Sequence, residues 1–277
     1  MVKIITDSSS LYTGEEAEQL GFQAVPLCIS IDDWHGRDLL MDMDKFYGQI
    51  EKGYVPSSSQ PPIGDVIEAY ENNPEVESIN IAMADGLSGT YTTACSAKEM
   101  VEHSDKITVL NSRTLCGPHR YLVDKAVEMA REGKEKLEIL NWLKGAIEKT
   151  DSFLMPQDFA FLKRGGRLTP LAGTIGGLLK LKPILRITPD GKRLDKFAVK
   201  RTVTSATASI VKHFEKLHID ERHIVYISHA NVLEDAKKVK EIILEAFPKV
   251  EVQMFKLSPA FVTQGGPGCI AIQYIEK

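Results

Sequence analysis

The strongest constraint on this chain is a recurring unit: a short apolar strand, a loop of glycine and hydroxyl residues, then a helix. Its clearest instance begins with the apolar run Ser78-Ile79-Asn80-Ile81-Ala82-Met83. The loop Asp85-Gly86-Leu87-Ser88-Gly89-Thr90-Tyr91 follows, and Thr90 to Glu102 then spaces Tyr91, Ala94, Cys95 and Ala97 for one helix face. Such a junction presents unpaired backbone N–H groups at a helix N-terminus, where the dipole favours negative charge. Ser88 and Thr90 add hydroxyl donors, and Gly86 and Gly89 allow close approach of the backbone. A plain helix cap has the same composition, so the argument depends on repetition.

The repetition is there. Val2 to Thr6 is β-rich and ends in Asp7-Ser8-Ser9-Ser10, and Thr13-Gly14-Glu15-Glu16 matches a capping box. Asp7 reads either as a strand-end cap or as a brace for the loops around a ligand. Phe22 to Ile31 is a further strand candidate, and the acidic stretch Asp32 to Asp44 reads as a solvated loop. Tyr54 to Pro62 is hydroxyl-rich and precedes a helical stretch from Ile63 to Glu71, with Pro61 and Pro62 suited to a helix start. Ile107 to Leu110 ends in Asn111-Ser112-Arg113, and Gly117 to Glu132 and Glu135 to Lys149 are amphipathic.

Strands alternating with helices predict a largely parallel, helix-covered sheet over residues 1–150. Ligands of such sheets bind beyond the carboxyl ends of the strands. Several strand ends carrying Ser or Thr at that edge point to an anion site.

After Thr150 the pattern changes. A strand at Ser152 to Met155 and a short helix at Asp158 to Lys163 precede the run Arg164-Gly165-Gly166-Arg167. Lys182 to Thr188 and Arg193 to Lys200 flank Pro189-Asp190-Gly191, a hairpin signal. Thr202 to Leu217, His223 to His229, Val232 to Phe247 and Val250 to Leu257 then alternate helix and strand. Residues 151–277 therefore form a second α/β domain with a mixed sheet.

Composition narrows the function. A net charge of −4 argues against nucleic acid as a partner. No apolar run approaches the length of a membrane span, and the acid at Asp7 comes too early for a signal peptide. Cys28, Cys95, Cys116 and Cys269 show neither zinc nor disulfide spacing, so the reading is a cytoplasmic protein with no metal and no cofactor. Cys116 and Cys269 read as small core residues. His119, His213, His218 and His223 read as surface or helix residues, and His229 as a weak site candidate.

Further stretches run in order along almost the whole chain: Thr6-Asp7-Ser8-Ser9-Ser10, Ser58-Ser59-Gln60-Pro61, Leu87-Ser88-Gly89-Thr90-Tyr91 and Leu162-Lys163-Arg164-Gly165-Gly166-Arg167-Leu168. Leu179-Lys180-Leu181-Lys182-Pro183-Ile184-Leu185, Lys200-Arg201-Thr202 and Gly266-Pro267-Gly268 continue the series. In these stretches the chain resembles the DegV family of bacterial fatty-acid-binding proteins. The resemblance implies two α/β domains with a long-chain fatty acid between them, its carboxylate gripped in the first and its tail in an apolar tunnel. It also implies a non-catalytic subunit of phospholipid metabolism that presents the lipid to a separate fatty acid kinase for acyl phosphate formation, with transient membrane contact.

Ser58 and Ser88 stand at the carboxylate contacts, with Ser59, Gly89 and Thr90 beside them. Gln264 stands where many relatives carry a His; its amide donates a hydrogen bond but carries no proton or charge. Ala84-Asp85 replaces a pair of small hydroxyl residues, and Asp85 is expected to point away from the site. Asn111 to Gly117 lacks a Gly-Gln-Gly. Arg164, Arg167 and Arg201 are candidates for the kinase-facing or phosphate-contacting surface. The apolar residues between Leu171 and Leu185 read as tunnel lining or as plain core.

The competing reading is a phosphotransferase or hydrolase acting on a small anion at the same loops. The chain lacks a P-loop, a G-x-S-x-G elbow and a base placed to activate Ser88.

Overall fold

The computed structural model describes residues 1–173 and 181–277. It divides into two compact units, Met1–Glu148 and Lys149–Lys277.

The first unit runs β1 (Lys3–Asp7), α1 (Gly14–Gln19), β2 (Gln23–Val25), β3 (Cys28–Ile31), β4 (Trp34–Arg37), α2 (Met43–Glu51) and β5 (Ser57–Ser59). It continues with α3 (Ile63–Glu71), β6 (Ser78–Ala82), α4 (Thr90–Lys98), β7 (Ile107–Asn111), α5 (Cys116–Arg131) and α6 (Lys136–Ile147). Four strands pair in the order β2-β1-β6-β7, all parallel. β1 shows how both faces are covered, because successive side chains point to opposite sides. Ile5 packs with Val66 and Ala69 of α3 and Ala94 and Ala97 of α4. Its neighbour Thr6 reaches His119 of α5. The expected parallel, helix-covered sheet is therefore present.

Two segments depart from the sequence reading. The apolar run Phe22 to Ile31 is split at Pro26, which has no N–H to continue a ladder. β2 joins the parallel sheet, whereas β3 founds a separate antiparallel sheet of order β4-β3-β5. The stretch from Asp32 is correspondingly not a solvated loop. Asp32 and Asp33 form a two-residue hairpin turn between paired Ile31 and Trp34, with Asp32 at φ 50°. Downstream, Asp38 is 1% exposed. Ser57 to Ser59 is likewise a strand, hydrogen-bonded to β3, and not a loop beyond a strand end.

The second unit runs β8 (Thr150–Met155), α7 (Phe159–Gly165), α8 (Pro170–Gly173), β9 (Lys182–Ile187), β10 (Leu194–Lys200) and α9 (Val203–Lys216). β11 (His223–His229), α10 (Leu233–Ala246), β12 (Glu251–Lys256), α11 (Pro259–Gly265) and β13 (Ile270–Glu276) complete it. Six strands form a mixed sheet of order β10-β9-β8-β13-β11-β12, in which β11 and β12 are parallel and the other pairs antiparallel. Phe153, Ile184, Val225 and Ile272 pack against Ile210 and Phe214 of α9 and Val239 and Ile243 of α10. On the other face, Leu154 and Leu185 meet Leu162 and Ala172. The predicted hairpin over Pro189-Asp190-Gly191 is present, with Gly191 at φ 73°.

Candidate functional site

In the order β2-β1-β6-β7 the chain leaves β1 first to one side and later returns on the other, so the topological switch lies between the carboxyl ends of β1 and β6. Open parallel sheets bind ligands there, because the two loops diverge and leave a crevice. Asp7 closes the end of β1, and the turn Ala84–Leu87 follows β6, held by Leu87 N–H to the Ala84 carbonyl at 3.1 Å.

Asp7 ties these two loops together. It is 2% exposed; its Oδ1 accepts the Ser9 N–H at 2.9 Å and its Oδ2 the Met83 N–H at 2.9 Å. The cap and the brace are thus the same residue. Around it, Ser8 Oγ donates to Asp38 at 2.9 Å and accepts the Leu27 N–H at 3.1 Å.

His119 ties β1 to the β7 exit. It lies in helix α5, one of the two places the sequence reading allowed, and is fully buried there, with Nε2 at 2.8 Å from Thr6 Oγ1 and Nδ1 at 2.8 Å from Ser112 Oγ. Thr6 spends its hydrogen on the Ile81 carbonyl at 2.9 Å, so Nε2 donates to Thr6, and the Ser112 hydrogen is shared between Nδ1 of the neutral ring and the Thr114 carbonyl at 3.2 Å. Burial holds His119 below the ordinary histidine pKa, with the Asp7 carboxylate opposing that shift.

The hydroxyl loop begins α4. Ser88 Oγ accepts the Thr90 N–H at 3.3 Å and lies 2.8 Å from Thr90 Oγ1. If Thr90 donates within this pair, the Ser88 hydrogen is available to a ligand oxygen. Ser88 is half-buried, Thr90 buried and Gly89 exposed. Gly89 packs closely against Gln60: a Cβ there would lie 3.1 Å from Gln60 Oε1. Gln60, which sequence reasoning passed over although it sits inside the Ser58-Ser59-Gln60-Pro61 run, therefore joins the β5–α3 segment to the α4 N-terminus. Ser59, Gln60 and Pro61 line a cleft of about 360 Å³ together with Thr92, Thr93 and Cys28. Ser58 is half-buried on β5, opposite Ile29 of β3.

Asp85, expected from the sequence to point away from the site, belongs to this turn. It is half-buried in the turn, with Oδ1 shut off from water. Its neighbour Tyr91 has a raised pKa, through burial first, then Cys95, then the charge of Asp85.

The remaining sequence candidates belong to the second unit. Gln264 on α11 packs its terminal amide onto Gly165 of α7, a contact that only glycine permits. Gly166 caps α7 at φ 70°, Arg167 donates to the Gly165 carbonyl, and Arg193 donates to the Gly166 carbonyl at 2.7 Å. Burial first, then the Arg193 charge, lowers the Arg167 pKa. Arg164 is exposed and lies over the Phe161 ring, 4.5 Å from its centroid. Arg201 is exposed just beyond β10, whereas Arg167 is hydrogen-bonded to Leu194 at that strand's start. At about 3.3 Å per residue, β10 holds those two arginines roughly 20–25 Å apart. His229 is buried at the end of β11, its pKa lowered by burial and by Lys256, and Cys116 and Cys269 are buried as expected.

Fold and site together define a two-domain α/β protein whose first unit carries hydroxyl residues on the loops at the switch point of its parallel sheet. A family model described as "Uncharacterised protein, DegV family" matches residues 1–277. The chain is 31% identical over 278 residues to a DegV domain-containing protein of Staphylococcus aureus strain N315, covering 99% of this chain and 98% of that protein. It belongs to the DegV family.

Among solved structures, DegV of Bacillus subtilis, described as a fatty acid binding protein, aligns with a TM-score of 0.84 and 29% identity, covering 100% of this chain and 99% of that one. A DegV family protein from Eubacterium eligens loaded with heptadecanoic acid aligns with a TM-score of 0.86 at 21% identity, covering 100% of both chains, a likeness of fold.

Proposed function

We propose that this chain binds a long-chain fatty acid and presents it to a separate kinase for acyl phosphate formation. The head group sits at the Ser/Thr loops of the first unit, contacted by Ser88 and Ser58 with Ser59, Gly89, Thr90 and Gln264 as further contacts. The observation that carries the reading is the Ser88–Thr90 hydroxyl pair at the N-terminus of α4, beside the sheet's switch point and braced by Asp7. The fatty-acid-binding description of the Bacillus subtilis relative supports it.

Hydroxyls and helix amides hold a carboxyl group without burying a permanent positive charge. Each CH₂ of the tail removed from water contributes about 0.8 kcal/mol. Of the proposed tunnel segment between Leu171 and Leu185, residues 174–180, including Leu179 and Lys180, lie outside the described residues.

The chain acts as a carrier and not as a catalyst. Ser88 is bonded to Thr90, a hydroxyl that cannot serve as general base, and His119 has both nitrogens engaged by Thr6 and Ser112. Arg167, Arg164 and Arg201 form the kinase-facing or phosphate-contacting surface, and the protein works in the cytoplasm with transient membrane contact. No helix among the described residues is long and apolar enough to cross a membrane.

Native mass spectrometry of purified protein tests the reading. Wild type carries a stoichiometric fatty acid, and Ser58→Ala with Ser88→Ala loses it while the far-UV spectrum is unchanged. A double mutant that retains lipid removes these two serines from the site.

A further inference from the structure

Resting on the lipid reading above, we propose that the carboxyl edge of the first unit's parallel sheet selects an uncharged, hydroxyl-donating head group on a long alkyl chain, and that Asp85 sets this preference. A protonated fatty acid and a long-chain alcohol share that chemistry.

The carboxyl edge of the parallel sheet is acidic. Asp7 at the end of β1 is 2% exposed and Asp38 beyond β4 is 1% exposed, and half-buried Asp85 follows β6. These groups are linked to neighbouring loops: Asp38 accepts from Ser8, and Asp7 accepts from the amide of Met83, two residues before Asp85. Three arginines near this edge are committed elsewhere. Arg37 pairs with Asp65 at 2.6 Å, Arg113 with Glu148 at 2.5 Å, and Arg120 lies over the Tyr12 ring and donates to the Leu11 carbonyl. A carboxylate brought to Ser88, three residues from Asp85, meets like charge where solvent screening is poor. Tyr91, at the start of α4, already senses this field, because Asp85 adds to the burial and Cys95 effects that keep its phenol protonated. A neutral head group escapes the repulsion and can donate to a carboxylate.

Two further hydroxyls at the same edge have no partner. Ser9 Oγ and Thr114 Oγ1 are each in a residue 1% exposed and make no hydrogen bond. They flank the β6 exit. The Ser9 N–H goes to Asp7, which holds Met83, and the Thr114 carbonyl accepts the Ala84 N–H at 3.1 Å. The strands they follow, β1 and β7, lie on either side of β6, about 10 Å apart. Buried hydroxyls are costly to leave unpaired, and both lie where a ligand of this sheet binds. A carboxylate offers them acceptors only. A protonated acid or an alcohol offers an acceptor to Ser or Thr and a donor to an acid, so it satisfies both kinds of group at once.

The titratable groups on the elements that meet at this edge include Asp7 of β1, Asp38 beyond β4, Asp85 at the β6 exit, Tyr91 and Cys95 of α4, and His119 of α5. Removing Asp85 alone separates its part from the rest. Equilibrium dialysis of the full chain with dodecanoic acid and with 1-dodecanol at pH 6 and pH 8 tests the proposal. A site that takes only the protonated acid loses about tenfold in apparent affinity per pH unit above the carboxyl pKa near 4–5, hence about 100-fold over this interval.

The expected result is that fall for the acid, with alcohol affinity unchanged within about threefold. Asp85→Ser, with its fold checked by circular dichroism, reduces the fall to about tenfold or less. Dodecanoic acid binding that is flat with pH, with the alcohol at least tenfold weaker, overturns the selection and leaves the lipid reading standing. Binding of neither probe to folded protein at either pH overturns the lipid reading and this inference with it.

Discussion

Replacing Asp7 with alanine removes a side chain that joins the β1 and β6 exits. Two N–H groups, of Ser9 and Met83, each give a 2.9 Å bond to the carboxylate, and the residue is 2% exposed, so water has little access to replace it. Hydrogen bonds to charged groups contribute about 1.5–3 kcal/mol each, and both buried donors are orphaned together. Asp7→Ala should therefore cost the first unit about 3–5 kcal/mol, more than the ~1 kcal/mol of an ordinary cap. Urea unfolding followed by circular dichroism reads this as a lower midpoint at unchanged slope. Hydrogen exchange localises it, because the Met83 and Ser9 amides should lose protection first. Lipid retention should fall in parallel, since the Ser88 loop loses its anchor to β1. A cost below about 1 kcal/mol with Met83 still protected would refute the bracing argument.

His119 gives a pH-dependent expectation. Its folded pKa lies below the unfolded value near 6.5, so stability is present above that pH and is lost as pH falls toward the folded value, at up to about 1.4 kcal/mol per unit. His119→Gln should lose less stability than wild type between pH 7.5 and 5.5 in urea midpoints, the other histidines being common to both. Gly266→Ala puts a Cβ at φ 78° and 3.0 Å from the Phe161 ring, and should lower stability by about 2–3 kcal/mol in the same assay. Gly165→Ala meets only the far end of the Gln264 side chain, so it should cost less than about 1 kcal/mol yet displace that amide. Unchanged lipid retention in Gly165→Ala would take Gln264 out of the head-group site.

Much of the fold is legible in the chain because its signals are local. The helix from Ile63 to Glu71 and the strand from His223 to His229 appear with their expected limits, and Thr13 and Thr202 cap the helices that follow them. The reading misses α11 and β13, although β13 occupies the middle of its sheet, between β8 and β11. Its Ile270, Ile272 and Ile275 carry a strand's burial, but nothing in a C-terminal segment announces that it will be inserted between strands formed earlier. The separation of β2 from β3 has a local cause in Pro26, whereas the pairing of β3 with Ser57 to Ser59 joins residues far apart in sequence.

The sequence by itself determined the alternation of strands and helices, the hydroxyl loop at Ser88, and the family. These depend on side-chain period, capping chemistry and short motifs, all of which act over a few residues. Only the tertiary structure decided which loops meet. It joined Asp7 to Met83, buried His119 between Thr6 and Ser112, set Gln60 against Gly89, and put Arg167 and Arg201 at opposite ends of β10. Those relations depend on strand order and on which face each side chain takes, and strand order is settled by the packing of the whole sheet.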